Sequence, residues 1–208
     1  MTIIESLERY APLSEECKKA LLERAKIVII PANTGLLCPD QISDRVYFIE
    51  KGIIRVYYYA DEDADADASS ITSWFGQEGG IVSSISSFLS QKPSTEHIQT
   101  LEKCHCRVLT YNDLEELYVE FPELNLTFRK LYQFYIQIYE RRMKLLKTKD
   151  FTKRYLYFLK IYPTLANRVK DKDIASYLEM SAGKLCSLKK EIYKSKRPNE
   201  GLPNYLIS

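Results

Sequence analysis

The stretch DKDIASYLEMSAGKLCSLKKEIYKSKR, residues 171–197, reads as two short helices with a tight break between them. Asp171 stands where it can cap the first helix. Ile174, Ala175, Leu178, Leu185 and Leu188 recur at intervals that give two crossed helices one shared interior. Ala175 is small where the second helix comes close, and Met180 plugs the turn. Glu179 holds the position that goes left-handed in such a turn, often a glycine, at a cost of about 1 kcal/mol. The second helix exposes small residues at its N-terminus and lysines beyond them. Small residues permit close approach to base edges or phosphate, and lysines suit a phosphate backbone. The candidate DNA-binding set is Ser181, Ala182, Gly183, Lys184, Ser187, Lys189, Lys190 and Lys194. Lys184, Ser187 and Cys186 face outward from the first turns as base readers, with Lys196 and Arg197 as further backbone contacts. No Arg or Gln lies on that face, so base readout is modest. A packed helical hairpin with a solvated lysine surface would show the same local pattern.

Charge favours the first reading. Residues 1–140 carry a balance of −9 and residues 141–197 a balance of +12, within a net charge of +2. Such asymmetry joins an acidic module to one that prefers polyanions. No run of about 18 apolar residues exists, so no membrane span is expected. The N-terminus MTIIESLERY has acids where a signal peptide has basic charge, and a cytoplasmic location is expected. Five scattered cysteines, Cys17, Cys38, Cys104, Cys106 and Cys186, suit reduced thiols. Cys104-His105-Cys106 sits in an alternating stretch, so the two thiols share a strand face and His105 points away. No second ligand pair has zinc spacing, and neither metal nor cofactor is expected.

Upstream, residues 4–26 look helical, with Ser14 as a cap within LSEECKKALLERA. From Ile27 the chain turns β-rich: KIVIIPANTGLLCP, RVYFIEKGIIRVYYYA, SITSWFG and STEHIQTLEKCHCRVLTY are short runs broken by glycine and proline. Their spacing suits an antiparallel barrel or jelly roll, and Glu50-Lys51-Gly52 reads as a hairpin turn. DEDADADA, residues 61–68, lacks the Gly and Glu of a calcium loop and reads as a solvated tip. Residues 124–147 form one long helix with two apolar seams. Leu124, Phe128, Leu131, Tyr135, Ile138, Arg142 and Leu145 make the first; Tyr132, Ile136, Tyr139, Met143 and Leu146 make the second. Two seams of 3.5-residue period imply two partners, the β-module and the same helix of a second copy. The interface is assigned to Phe128, Leu131, Tyr135, Ile138, Arg142 and Leu145; a helix wholly buried in one chain is the other reading. Asp150 then caps a further helix, KRYLYFLKIY, which Pro163 closes.

The fold class is α+β: residues 1–123 a jelly-roll sensor domain with an N-terminal helix, 124–147 a dimerisation helix, and 148–208 a helix-turn-helix domain. In this order, and in WFGQEGGIVSSISSFLSQKPS (74–94) and IASYLEMSAGKL (174–185), the chain resembles the Crp/Fnr family of bacterial transcription regulators. The resemblance implies a cyclic-nucleotide-binding-type barrel, double-stranded DNA and a second copy as partners, and RNA polymerase as a further one. In members that bind cyclic AMP, a Gly-Glu pair holds the ribose and an Arg ten residues on neutralises the phosphate. Aligned without gaps, Gly79 and Gly80 form the turn, Ser83-Ser84 replace the Gly-Glu pair, and Ser94 replaces the Arg, with Thr95 beside it. Both charged partners are absent, so the pocket is degenerate and cyclic AMP is not the expected effector. An unknown small molecule remains the expected signal. Iron–sulfur sensing lacks a cysteine cluster near the N-terminus, where only Cys17 and Cys38 lie, and haem sensing or a metal-dependent barrel enzyme lacks ligands, since His97 and His105 are the only histidines. The expectation is a non-enzymatic, sequence-specific DNA-binding regulator. A dimeric interaction or ligand-binding protein with a degenerate DNA module is the alternative, because the tail PNEGLPNYLIS is too short for a full wing hairpin.

Overall fold

A computed structural model describes residues 1–60 and 70–195. The acidic stretch 61–68 and Lys196, Arg197 and the tail lie outside the described residues. The chain divides into two compact units, 1–147 and 148–208, so the long helix belongs with the barrel.

Two helices, α1 (Ile3–Glu8) and α2 (Glu15–Arg24), stand where the sequence suggested one. The break follows from Pro12, which cannot donate within a helix, and from Ser14, whose hydroxyl accepts from the Cys17 N–H and starts α2 afresh. Thr2 and Glu5 close a capping box on α1.

Among the described residues eight strands follow: β1 (Lys26–Ile30), β2 (Gly35–Leu37), β3 (Arg45–Lys51), β4 (Ile54–Tyr58), β5 (Ile71–Gly76), β6 (Ile81–Val82), β7 (His97–Thr100) and β8 (Cys104–Thr110). They form two four-stranded antiparallel sheets, ordered β1-β8-β3-β6 and β2-β7-β4-β5. Helix α3 (Ile85–Ser90) interrupts the strands after β6. Strand β3 reads as a continuous apolar run because both of its faces are covered. Tyr47 and Ile49 point between the sheets, beside Ile54, Val56, Ile98, Cys104 and Cys106. Val46 and Phe48 point the other way, into a core shared with α1, α2, α4 (Tyr111–Glu120) and α5 (Glu123–Leu146).

Glu50-Lys51-Gly52 is therefore a turn but not a hairpin. Strand β3 pairs with β6 and β8, while β4 pairs with β5 and β7. The turn hands the chain from one sheet to the other. Gly52 sits at φ +107°, and its N–H donates to Glu78 Oε1 at 2.8 Å. A Cβ there would lie 2.6 Å from Cys104 Sγ and 2.9 Å from the Cys104 Cα. Gly52→Ala combines a disfavoured φ with a clash against backbone, and should destabilise unit 1 by about 2 kcal/mol or more. Urea unfolding followed by tryptophan fluorescence measures this; an unchanged midpoint contradicts the crossing geometry.

Candidate functional site: the helix-turn-helix surface and the barrel pocket

In the second unit, α6 (Phe151–Ile161) begins at Asp150, whose carboxylate accepts from the Lys153 N–H at 2.9 Å. A short 3-10 turn, Leu165–Asn167, leads to α7 (Asp171–Tyr177) and α8 (Ala182–Ser195). Ile174, Ala175, Leu178, Leu185 and Leu188 are all buried, as their spacing requires. Phe158, Tyr162 and Tyr177 pack edge to face or tilted around that interior, with centroids 5.3–5.9 Å apart.

Glu179 adopts φ +50° in the turn. Its N–H donates to Ser176 O at 3.1 Å, and the Met180 N–H donates to Ala175 O at 3.0 Å, which closes α7 as a left-handed cap. A residue that the sequence did not single out holds this turn. Arg154, buried on α6, donates from Nη1 to Leu178 O at 2.9 Å and Glu179 O at 3.0 Å, and from Nη2 to Thr148 O. Charge-assisted bonds to two turn carbonyls offset the cost of a left-handed glutamate. Helical spacing marks Arg154 only as one more basic residue among many.

The candidate DNA contacts divide. Ser181 accepts from the Lys184 N–H at 3.1 Å, so its hydroxyl caps α8. Ala182 and Gly183 are exposed, and a Cβ on Gly183 would meet nothing within 4 Å. No packing among the described residues requires glycine there. Lys184, Cys186, Ser187 and Lys190 are exposed, with the Lys184 ammonium 5.6 Å from the Phe151 ring centroid. Lys189 is placed differently. Its ammonium is ion-paired to Asp171 and its side chain is only 17% exposed. Asp171 is accordingly the first residue of α7 and a partner for α8, with Lys170 at the cap position. The pair staples the two helices, and a helical wheel sees only that Lys189 points off the interior. Lys194 lies in the last turn of α8.

In the first unit, most of the residues expected to line a ligand pocket converge. Gly79, at φ +75°, and Gly80 form a tight turn in which Gly79 N–H donates to Ile49 O and Gly80 N–H donates to Gln77 O, both at 2.8 Å. Ser83, Ser84 and Ser94 are buried, and Thr95 is exposed. Ser84 is the N-cap residue of α3. Its hydroxyl donates to Glu96 Oε2 at 2.8 Å, and Ser94 Oγ lies 3.0 Å from Ser84 Oγ. Ser73 Oγ donates to Glu96 Oε1 at 2.9 Å. The positions of the missing Glu and Arg thus bond each other directly, around a carboxylate that the alignment passed over. Strand parity carried the signal: Glu96, Ile98 and Thr100 point to one face, and Ile98 is buried inside.

His97 stacks on Tyr57 with centroids 4.8 Å apart, and burial pulls its pKa down. Cys104 and Cys106 are fully buried on one face, as expected. No cluster of three or more metal-ligating side chains occurs among the described residues, and none of the described helices is long and apolar enough to cross a membrane.

The expected dimer residues lie largely within this chain's own packing. Phe128 and Leu131 are buried in the chain's own core. Tyr135 packs edge to face on Trp74, and its hydroxyl accepts from the Ile81 N–H at 3.1 Å; burial pushes its pKa up to about 12. Ile138 is buried, and Arg142 donates to Ser73 O at 3.2 Å and Thr72 O at 3.5 Å. Leu145, the last of the set, is half-buried. The first seam is spent on the barrel. The second leaves Ile136 64%, Tyr139 53% and Met143 38% exposed, with Phe134 alongside.

Comparison with known proteins bears on this geometry. Residues 27–121 match the family model of the cyclic nucleotide-binding domain. No curated protein sequence gives a significant match. Among solved structures, FixK2 from Bradyrhizobium japonicum superposes with a TM-score of 0.68 at 16% identity, over 86% of this chain and 89% of that one. A CooA variant from Carboxydothermus hydrogenoformans gives 0.62 at 19% identity, over 94% and 85%. CLP from Xanthomonas campestris, a c-di-GMP responsive global regulator, gives 0.61 at 15% identity, over 90% and 96%. The likeness to these structures is one of fold, and residues 27–121 match a cyclic nucleotide-binding domain.

Proposed function

We propose that this chain is a cytoplasmic, homodimeric transcription regulator that binds duplex DNA sequence-specifically through α8. Its signal enters through the barrel, from an effector other than cyclic AMP, and RNA polymerase is its downstream partner. The observation that carries the reading is the exposed N-terminal face of α8, Ser181 to Lys184 with Ser187 and Lys190, on a fully packed helix pair within a segment of charge +12. Ala182 and Gly183 admit a phosphate or base edge, Lys184 and Ser187 read, and Lys190 holds the backbone. Lys194 adds to that backbone term. Two copies pair through the second seam of α5. A shift of the paired helices re-spaces two recognition helices, which must stand about 34 Å apart to enter successive major grooves. That CLP responds to a different nucleotide fits a barrel of this type taking an effector other than cyclic AMP.

The withdrawal of Lys189 from the phosphate face is the one observation that favours the alternative, a dimeric interaction or ligand-binding protein with a degenerate DNA module. The two lysines separate the readings. Lys190→Ala should lower the slope of log affinity against log salt by about 1 while leaving stability unchanged. Lys189→Ala should leave the slope unchanged and cost about 1 kcal/mol of stability. Gel shifts over a salt series and thermal unfolding measure both; the reverse pattern puts Lys189 on the DNA, and no duplex binding at low salt refutes the regulator.

Replacing Ile136 and Tyr139 together with Asp should give folded monomers by light scattering and circular dichroism. A dimer that survives the double change places the interface outside the second seam.

A further inference from the structure

The hydroxyls of the barrel pocket already have an anion. Glu96 accepts from Ser84 Oγ at Oε2 and from Ser73 Oγ at Oε1. Its own N–H donates to Ser94 Oγ at 3.0 Å. A serine hydroxyl has one proton to give. Ser84 spends its proton on the carboxylate, so Ser94 is the donor in the 3.0 Å contact between the two serines, which is shorter than its other contact, 3.3 Å to Glu96 O. The bonds form a closed ring: Glu96 N–H to Ser94, Ser94 to Ser84, Ser84 back to the Glu96 carboxylate. Each donor polarises the next, and the chain ends on a charge. Ser84 and Ser94 are buried, at 2% and 4% exposed.

The ring ties three separate elements. Ser84 is the cap residue of α3, Ser73 lies in β5, and Ser94 with Glu96 leads into β7. Helix α3 in turn inserts Phe88 into the core that holds Phe128 and Leu131 of α5. Whatever fixes α3 against β5 and β7 therefore fixes a surface on which the long helix rests.

We propose that Glu96 is the internal ligand of this pocket and its specificity determinant. Its carboxylate takes the donors that an anionic effector would need and repels any phosphate or carboxylate brought beside it. The barrel is thereby held in one arrangement without a small anion, and an effector of this site must be neutral or cationic. The inference rests on the reading of the barrel as the regulator's sensor, but its test uses the barrel alone as readout.

The full chain serves, as wild type and as Glu96→Ala, Ser84→Ala and the double variant, in calorimetric unfolding without DNA. Each single change is expected to lower the Tm of the barrel transition by roughly 5 °C. The double variant should lose about as much as Glu96→Ala alone, because both changes break one ring. Sodium formate at tens of millimolar should return part of the loss in Glu96→Ala, with no such gain in wild type and no gain from matched sodium chloride. Inorganic phosphate should raise the wild-type Tm no more than sodium chloride does. An additive double variant, a wild-type Tm in either single variant, equal action of formate on wild type, or a specific phosphate stabilisation of wild type overturns the proposal. Ser84→Ala keeps the test decisive where Glu96→Ala does not fold, since a wild-type Tm for it contradicts the ring. Absence of duplex binding counts against the regulator reading and leaves these outcomes unaffected.

Discussion

The architecture depends on how one helix satisfies two apolar faces. Along its 24 residues α5 carries two seams, and burying both within a single chain would require partners on opposite sides. The barrel takes the first. Phe128 and Leu131 enter the core, the Tyr135 hydroxyl meets the Ile81 N–H, and the Arg142 guanidinium meets the carbonyls of β5. These contacts are directional as well as apolar, so they fix the rotation of the helix about its axis. That rotation decides which residues remain outside. Ile136, Tyr139 and Met143 are left exposed as a consequence of where Tyr135 and Arg142 bond. The pocket and the outer seam are thus linked mechanically: Ile81, whose N–H Tyr135 holds, follows directly on the Gly79-Gly80 turn.

Charge is distributed to match. In the barrel a carboxylate, Glu96, stands among serines, where the Crp/Fnr regulators that the sequence resembles and that take cyclic AMP need an arginine. In the second unit the basic residues do two different jobs. Arg154 and Lys189 hold the helix pair together, one by clamping the turn carbonyls and the other by pairing with Asp171. Lys184 and Lys190 are left to the surface. A segment of +12 therefore offers a polyanion fewer cations than its count suggests, and that makes the proposed DNA binding more dependent on the geometry at the start of α8.

What the sequence disclosed was governed by locality. The interior of the helix-turn-helix and the left-handed Glu179 were legible because both follow from spacing within about fifteen residues. The existence of two seams on α5 was legible for the same reason, but their assignment was not. Nothing in helical periodicity says that Tyr135 finds a backbone N–H 54 residues upstream. The Gly52 turn misled because hairpins and sheet-crossing turns share the same local chemistry. Lys189 misled because its partner lies 18 residues back across a turn. The break between α1 and α2 was available in Pro12, and Glu96 was available in strand parity. A broader pattern masks both, a continuous helix in one case and the positions of a known motif in the other.

The central claim is that two α8 helices read DNA as a symmetric pair. Selection of bound duplexes from a random pool by the purified protein tests it most directly. The account predicts an enriched inverted repeat whose half-sites lie about 10–10.5 base pairs apart, centre to centre, as two helices entering successive major grooves require. In the same selection Lys184→Ala should blur one position of each half-site while the spacing holds. Enrichment of a single unrepeated site, or no enrichment at all from a protein that binds duplex, would contradict it.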